Sequence, residues 1–229
     1  MAGDQAMNII DYPDSDMLVI NLANRLAGDL ENALFHHDTV SFAVPGGSSP
    51  GPVFDVLCAS DIAWDRVHVM LTDERWVPED HERSNTRLIR ERLLTSRAAQ
   101  ARFLPFYAPA AHPDDVLADV TAPLVEELPL SVLLLGMGAD MHTASLFPGA
   151  PGLAQALAPD APILVAQDPP TQDELRVSLS ARVLDGALSK HLLITGAEKR
   201  EALERALALA PEEAPINAVL SETTVHWAP

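Results

Sequence analysis

The sequence predicts an α/β fold in which a mostly parallel sheet is covered by helices on both faces. Three observations predict it. Short apolar runs of strand length recur along the chain, amphipathic helical stretches separate them, and glycine or proline marks the junctions. Strands apolar on both faces belong to parallel sheets buried on each side.

The elements follow in order. Met17, Leu18, Leu22, Leu26, Leu30 and Leu34 recur at three and four, the period of an amphipathic helix. Val40–Val44 is a buried strand closed by Pro45-Gly46-Gly47. Ser48 or Ser49 ahead of Pro50 and Pro52 reads as a helix N-cap with proline in the first turn, opening a helix through Val53–Ala59. Val67–Leu71 is the next strand, followed by Thr72-Asp73-Glu74-Arg75 and a charged helix over Asn85–Leu94. Phe103–Ala111 reads as irregular and Asp114–Leu128 as one helix. Ser131–Leu135 is a strand running into Gly136-Met137-Gly138. Ile163–Ala166, Leu175–Ser180 and His191–Thr195 read as later strands, and Ala197–Ala210 as the last helix. The 19 prolines and 11 glycines sit between these segments without repeats or low-complexity linkers, so residues 1–229 read as one domain.

Composition narrows the function. Fifteen Lys and Arg against 33 Asp and Glu give a net charge of −18, which argues against nucleic acid and anionic membranes as partners. Hydrophobic residues at 48% against 21% charged supply a sizeable core. The longest apolar run falls far short of the roughly 20 residues that a bilayer requires. Residues 1–7 lack the basic and apolar segments of a signal peptide. The single cysteine, Cys58, forms neither an internal disulfide nor a cysteine metal cluster, so a reducing cytoplasm is the expected compartment.

In a parallel sheet the ligand lies beyond the carboxyl ends of the strands, here after Val44, Leu71, Leu135 and Thr195. After Val44, Gly46, Gly47 and Ser48 offer backbone amides and a hydroxyl to an anion, although an ordinary capped turn fits equally well. It is no Walker loop, because no Lys-Ser or Lys-Thr follows the glycines. After Thr195, Lys199 falls in the first turn of a helix, where a cation is mildly unfavourable and makes more sense with an anion between it and the amides. Taken alone, it reads more readily as a solvated surface lysine. Glu201 and Arg205 read as a routine helix-surface pair. In Leu175–Ser180 the alternation puts Arg176, Ser178 and Ser180 on one face, so that Arg176 is a strand-held fork for phosphate or else an edge-strand surface residue. After Leu71, Asp73, Glu74 and Arg75 read either as acid–base and oxyanion groups or as a local salt-bridge network.

After Leu135 comes Gly136-Met137-Gly138-Ala139-Asp140-Met141-His142. This is no dinucleotide fingerprint, since Met141 takes the third glycine position. His142 beside Asp140 is a natural general base near neutral pH, or else a cap for a short following helix. His36-His37 lack an acidic partner at metal spacing, His68 lies within a strand pattern and His81 in a polar loop, and without a His-Glu-x-x-His motif no metal site is expected. The absence of a Gly-x-Ser-x-Gly elbow removes the α/β-hydrolase reading.

The order of motifs is more specific than any one of them. Pro45-Gly-Gly-Ser-Ser-Pro50, Thr72-Asp-Glu-Arg-Trp-Val-Pro78 with Ser84-Asn85, Leu134-Leu-Gly-Met-Gly-Ala-Asp140, His142-Thr-Ala-Ser-Leu-Phe-Pro148 and Thr195-Gly-x-x-Lys199 resemble the 6-phosphogluconolactonase family. That family lies within the wider glucosamine-6-phosphate isomerase-like group, and the resemblance covers about residues 8–227. It implies a three-layer α/β/α, Rossmann-like fold of the NagB/RpiA type. It also implies hydrolysis of 6-phosphoglucono-1,5-lactone to 6-phosphogluconate, the second step of the oxidative pentose phosphate pathway, without a cofactor. His142 would be the general base, Arg75 the oxyanion contact, and Asp73 or Asp140 the group orienting the imidazole. Gly46, Gly47, Ser48, Arg176 and Lys199 would hold the phosphate. The implied partner is a small sugar-phosphate lactone, with the chain a monomer or weak homo-oligomer.

The family pattern reads Asp-Gly-His where this chain has Asp140-Met141-His142. A positive φ at Met141 would cost on the order of 1–2 kcal/mol. Two other functions compete. An amino-sugar-phosphate isomerase or deaminase carries Asn-Glu-Pro after the histidine segment, where this chain has Leu146-Phe147-Pro148 and no carboxylate. A non-catalytic sugar-phosphate sensor is the reading from outside the enzymes, although the chain lacks the basic face of a DNA-binding fusion.

Overall fold

The computed structural model describes residues 8–170 and 172–229; the reading of residues 1–7 lies outside them. The described chain begins with strand β1 (Asn8–Asp11) and helix α1 (Ser15–His36), whose buried face is Leu18, Leu22, Ala23, Leu26, Leu30 and Leu34. Asp14 caps α1 through a 2.8 Å hydrogen bond from the Met17 amide. Next come β2 (Val40–Val44), α2 (Gly51–Leu57), β3 (Val67–Leu71), β4 (Asp73–Arg75), α3 (Asn85–Arg92) and β5 (Arg102–Leu104). The middle of the chain holds α4 (Leu117–Thr121), β6 (Val132–Gly136), α5 (Leu153–Leu157), β7 (Leu164–Gln167) and β8 (Arg176–Leu179). Helix α6 (Ala181–Asp185), β9 (Ser189–Thr195), α7 (Ala197–Ala206) and β10 (Thr224–Ala228) follow.

Seven strands form one all-parallel sheet in the order β1-β10-β9-β6-β2-β3-β5, with helices flanking it in a three-layer α/β/α arrangement. Central strands β2 and β6 are apolar apart from the buried Ser41 in β2, and Phe42, Val44, Leu133 and Leu135 are fully buried. The chain moves outward from β2 to β3 in one direction and from β6 to β9 in the other. The sheet therefore has its topological switch point between β2 and β6, where a crevice opens beyond the carboxyl ends.

Several sequence expectations are corrected. Strands β4, β8 and β7 make a separate antiparallel sheet in that order, so Leu175–Ser180 is not part of the parallel sheet. It begins because the chain, having left β3, bonds through Thr72 to Val44 on one side and to Leu179 on the other. Arg176 lies on the central strand of this sheet and is 4% exposed, which rules out an edge-strand surface role. Asp114–Leu128 is not one helix: α4 is flanked by 3₁₀ turns over Pro113–Asp115 and Ala122–Glu127, because Pro123 cannot donate within a continuous helix. Phe103 is in strand β5 rather than irregular chain. Residue Pro50 caps α2 without a side-chain bond, so neither Ser48 nor Ser49 is its cap. On α7 the i,i+4 pair is Arg200–Glu204 rather than Glu201–Arg205, and Arg200 also reaches Asp11. Among the described residues no helix is long and apolar enough to cross a membrane.

Candidate active site

A cavity of about 230 Å³ opens at the switch point. Its wall combines the turn after β2 (Gly46, Gly47, Ser48), Asp73 and Arg75 of β4, the end of β6 with Gly138 and His142, Arg176 of β8, and Lys199 of α7. Every residue named from the sequence for a site role lies on this wall except Glu74, which is turned to the N-terminus of α3, and Asp140, which bonds to His142 behind it. The chain carries −18 overall, yet this wall sets three permanent cations against one carboxylate.

The histidine is held on three sides. Its Nδ1 lies 2.5 Å from Asp140 Oδ1, its ring stacks on Phe147 at 4.3 Å between centroids, and the Gly138 amide donates to its carbonyl at 3.0 Å. A Cβ on Gly138 would collide with the imidazole, so only glycine lets the ring sit there. The His142 side chain is 30% exposed, and with Nδ1 engaged its Nε2 is the nitrogen available to the cavity. Burial pushes the Asp140 carboxyl up, but hydrogen bonding and the charge of His142 outweigh it and hold the group below the ordinary aspartate range. Met141 does adopt φ +69°, so the left-handed turn survives without glycine. No helix follows directly: Thr143 bridges to Leu146, and α5 begins only at Leu153.

The two acidic neighbours of Arg75 divide their tasks. Glu74 is buried and accepts the amides of Arg75, Asn85 and Thr86 at 2.8, 2.7 and 2.8 Å, pinning the N-terminus of α3. Burial pushes its carboxyl up although those amides pull it down. Asp73 accepts from Thr72 Oγ1 at 3.0 Å and Ser145 Oγ at 2.7 Å, and lies 3.9 Å from Arg176. It is therefore Asp140, not Asp73, that meets the imidazole.

Arg75 and Arg176 stand directly opposite each other in the antiparallel pairing of β4 with β8. Like charges at directly opposed positions repel, and both guanidinium Nε atoms are buried without a partner. Arg75 is steadied by Arg83 O at 3.0 Å and Asn85 Oδ1 at 2.7 Å, and Arg176 by Gln172 Oε1 at 2.9 Å. The Arg176 guanidinium also sits 5.8 Å over the same Phe147 ring that supports His142. Burial lowers its pKa, Asp73 supports its charge and Arg75 opposes it. Negative charge on a bound ligand beside the two guanidinium groups would relieve the repulsion.

Four wall or support residues had no role in the sequence reading: Asn85, Ser145, Phe147 and Gln172. Asn85, Ser145 and Phe147 fall inside the quoted motifs, so their positions were visible while their contacts were not. Among the described residues no three His, Cys, Asp or Glu side chains converge as a metal ion would require.

The sequence pattern of the family described as glucosamine-6-phosphate isomerases/6-phosphogluconolactonase matches residues 13–227. A 6-phosphogluconolactonase of Mesorhizobium japonicum is 41% identical over 226 residues, covering 95% of this chain and 94% of that protein. Another from Pseudomonas aeruginosa is 40% identical over 213 residues, covering 91% and 89%. The crystal structure of a 6-phosphogluconolactonase from Shewanella baltica matches with a TM-score of 0.95 at 31% identity, covering 98% of this chain and 99% of that one. With its fold, its cavity at the switch point and these matches in agreement, the chain belongs to the glucosamine-6-phosphate isomerase/6-phosphogluconolactonase family.

Proposed function

We propose that the chain hydrolyses 6-phospho-D-glucono-1,5-lactone to 6-phospho-D-gluconate, as the lactone-opening step of the oxidative pentose phosphate pathway. One observation carries this reading: two buried, directly opposed arginines with unpaired Nε atoms share a cavity with an Asp140-oriented histidine. The arginines call for an anion, and the oriented imidazole calls for a proton to move.

In the reaction a water oxygen attacks the lactone carbonyl carbon while His142 Nε2 takes a proton from that water. Asp140 stabilises the imidazolium and keeps Nδ1 protonated throughout. The carbonyl oxygen becomes an oxyanion beside Arg75, a contact typically worth about 3–4 kcal/mol. When the tetrahedral intermediate collapses, the bond from carbon to ring oxygen breaks and the imidazolium returns its proton to that oxygen. The products are an alcohol and a carboxylic acid, which ionises. The phosphate is held by Gly46, Gly47, Ser48, Arg176 and Lys199. It takes no part in bond breaking and fixes the carbonyl against the base.

The test generates the lactone in place from glucose 6-phosphate and follows acid formation against the spontaneous rate. Acceleration proportional to protein concentration is the expected result. Phosphate-ligand binding without acceleration would make the chain a sensor, and ammonia release from glucosamine 6-phosphate would make it a deaminase.

A further inference from the structure

Asn85, the first residue of α3, is 2% exposed, and its side chain touches three parts of the cavity wall. Its Oδ1 accepts from Arg75 Nη1 at 2.7 Å, while its Nδ2 donates to the Asp73 carbonyl at 2.8 Å. This orientation of the amide is forced, since a guanidinium only donates and a carbonyl only accepts. The same amide presses on the glycine turn: a Cβ at Gly46 would collide with Asn85 Oδ1 and Cγ. Its backbone N–H is tied to Glu74 Oε1 at 2.7 Å, so the wedge is anchored from behind. Gly47 is glycine for another reason, its φ of +85°, and open space surrounds it.

We infer that Asn85 is a positioning residue that locks Arg75 and the Gly46–Gly47 turn into one rigid unit. The inference rests on the function proposed above, in which Arg75 faces the developing oxyanion and the turn holds the phosphate. The spacing between these two grips then sets where the lactone carbonyl lies relative to His142. No other residue type combines the required shape with an acceptor toward Arg75 and a donor toward the Asp73 carbonyl. Aspartate would set a second negative charge beside that carbonyl oxygen, and leucine would keep the volume without the hydrogen bonds.

The experiment separates the wedge from the hydrogen bond. Asn85→Leu retains the volume over Gly46 and loses the acceptor, so kcat falls at least about tenfold while KM stays within about twofold. Gly46→Ala drives a methyl group into Asn85, so KM rises and affinity for inorganic phosphate, measured by titration calorimetry, weakens by about tenfold or more. Adding Asn85→Ser to Gly46→Ala vacates the space and returns most of that phosphate affinity, a coupling that independent sites would not show. Thermal unfolding checks each variant, and if Asn85→Leu does not fold, the Gly46 cycle decides alone. A folded Asn85→Leu with kcat within twofold of the parent chain overturns the inference. So does an equal loss of phosphate affinity from Gly46→Ala in both backgrounds. A parent chain that does not turn over the lactone overturns the proposed function, and the phosphate cycle still judges the coupling.

Discussion

Met141 holds a left-handed backbone at φ +69° immediately before the candidate base, and Ala144 does the same at +49° just after it. The turn keeps its shape because Met141 N bonds to Gly138 O at 2.9 Å and Ile216 N bonds to Met141 O at 3.2 Å. Both bonds are made by the backbone, so a glycine at 141 would retain them. Met141→Gly is therefore expected to leave kcat within about twofold and to leave the unfolding free energy unchanged or raise it by up to about 1 kcal/mol, measured by urea unfolding. A loss above 1 kcal/mol would mean that the packing of the methionine side chain outweighs the backbone strain. For the base itself, His142→Ala is expected to lower kcat by roughly 10²–10⁴ with little change in KM. Single-turnover measurement gives the value, and near-parental kcat would remove His142 from the proposed mechanism.

At the scale of elements, the antiparallel sheet of β4, β8 and β7 converts two motif residues into a site. Arg75 and Arg176 are a hundred residues apart in sequence and become direct cross-strand partners only through this pairing. Helix α3 matters as much, because Glu74 accepts the first two amides of the helix and that of Arg75. A buried carboxylate at a helix N-terminus satisfies donors that are otherwise orphaned and complements the helix dipole. Glu74→Ala is expected to lower stability by about 2–3 kcal/mol, since three amides, two of them in buried hydrogen bonds, lose their acceptor. The check is chemical denaturation, and a change below about 0.5 kcal/mol would show that the amides find other partners.

At the scale of the whole molecule, a buried chain of polar groups ties the far side of the sheet together. Tyr12 Oη lies 2.9 Å from His226 Nδ1, His226 Nε2 lies 3.0 Å from His191 Nδ1, and His191 Nε2 lies 2.8 Å from Asp29. Burial, with His191 and Arg25 adding to it and Asp29 opposing, lowers the pKa of His226 to about 3. An unfolded histidine takes up its proton near pH 6.5, so between about 6.5 and about 3 the unfolded state binds more protons. Stability therefore falls as pH falls through that window, with a slope from this residue of at most about 1.4 kcal/mol per pH unit. Asp29, its carboxyl lowered because the His191 and Ser189 hydrogen bonds outweigh burial, adds a loss of the same sign at lower pH. His226→Gln is expected to flatten the decline between about pH 7 and about pH 5 in urea-unfolding experiments. An unchanged slope would place the acid sensitivity elsewhere.

The sequence by itself determined the layered class, the strands Val40–Val44 and Val67–Leu71 to the residue, and the four strand ends where chemistry had to lie. It could do so because strands buried on both faces read as near-continuous apolar runs, and because ligands gather at the carboxyl ends of parallel sheets. Short elements were not legible. β4 has three residues and no apolar pattern, so Asp73, Glu74 and Arg75 read either as acid–base and oxyanion groups or as a local salt-bridge network, not as a strand. Only tertiary structure decided that Glu74 serves a helix, that Asp140 rather than Asp73 meets the imidazole, and that Arg75 faces Arg176. These are contacts between segments apart in the chain or choices among residues of the same type, and local periodicity carries no information about either.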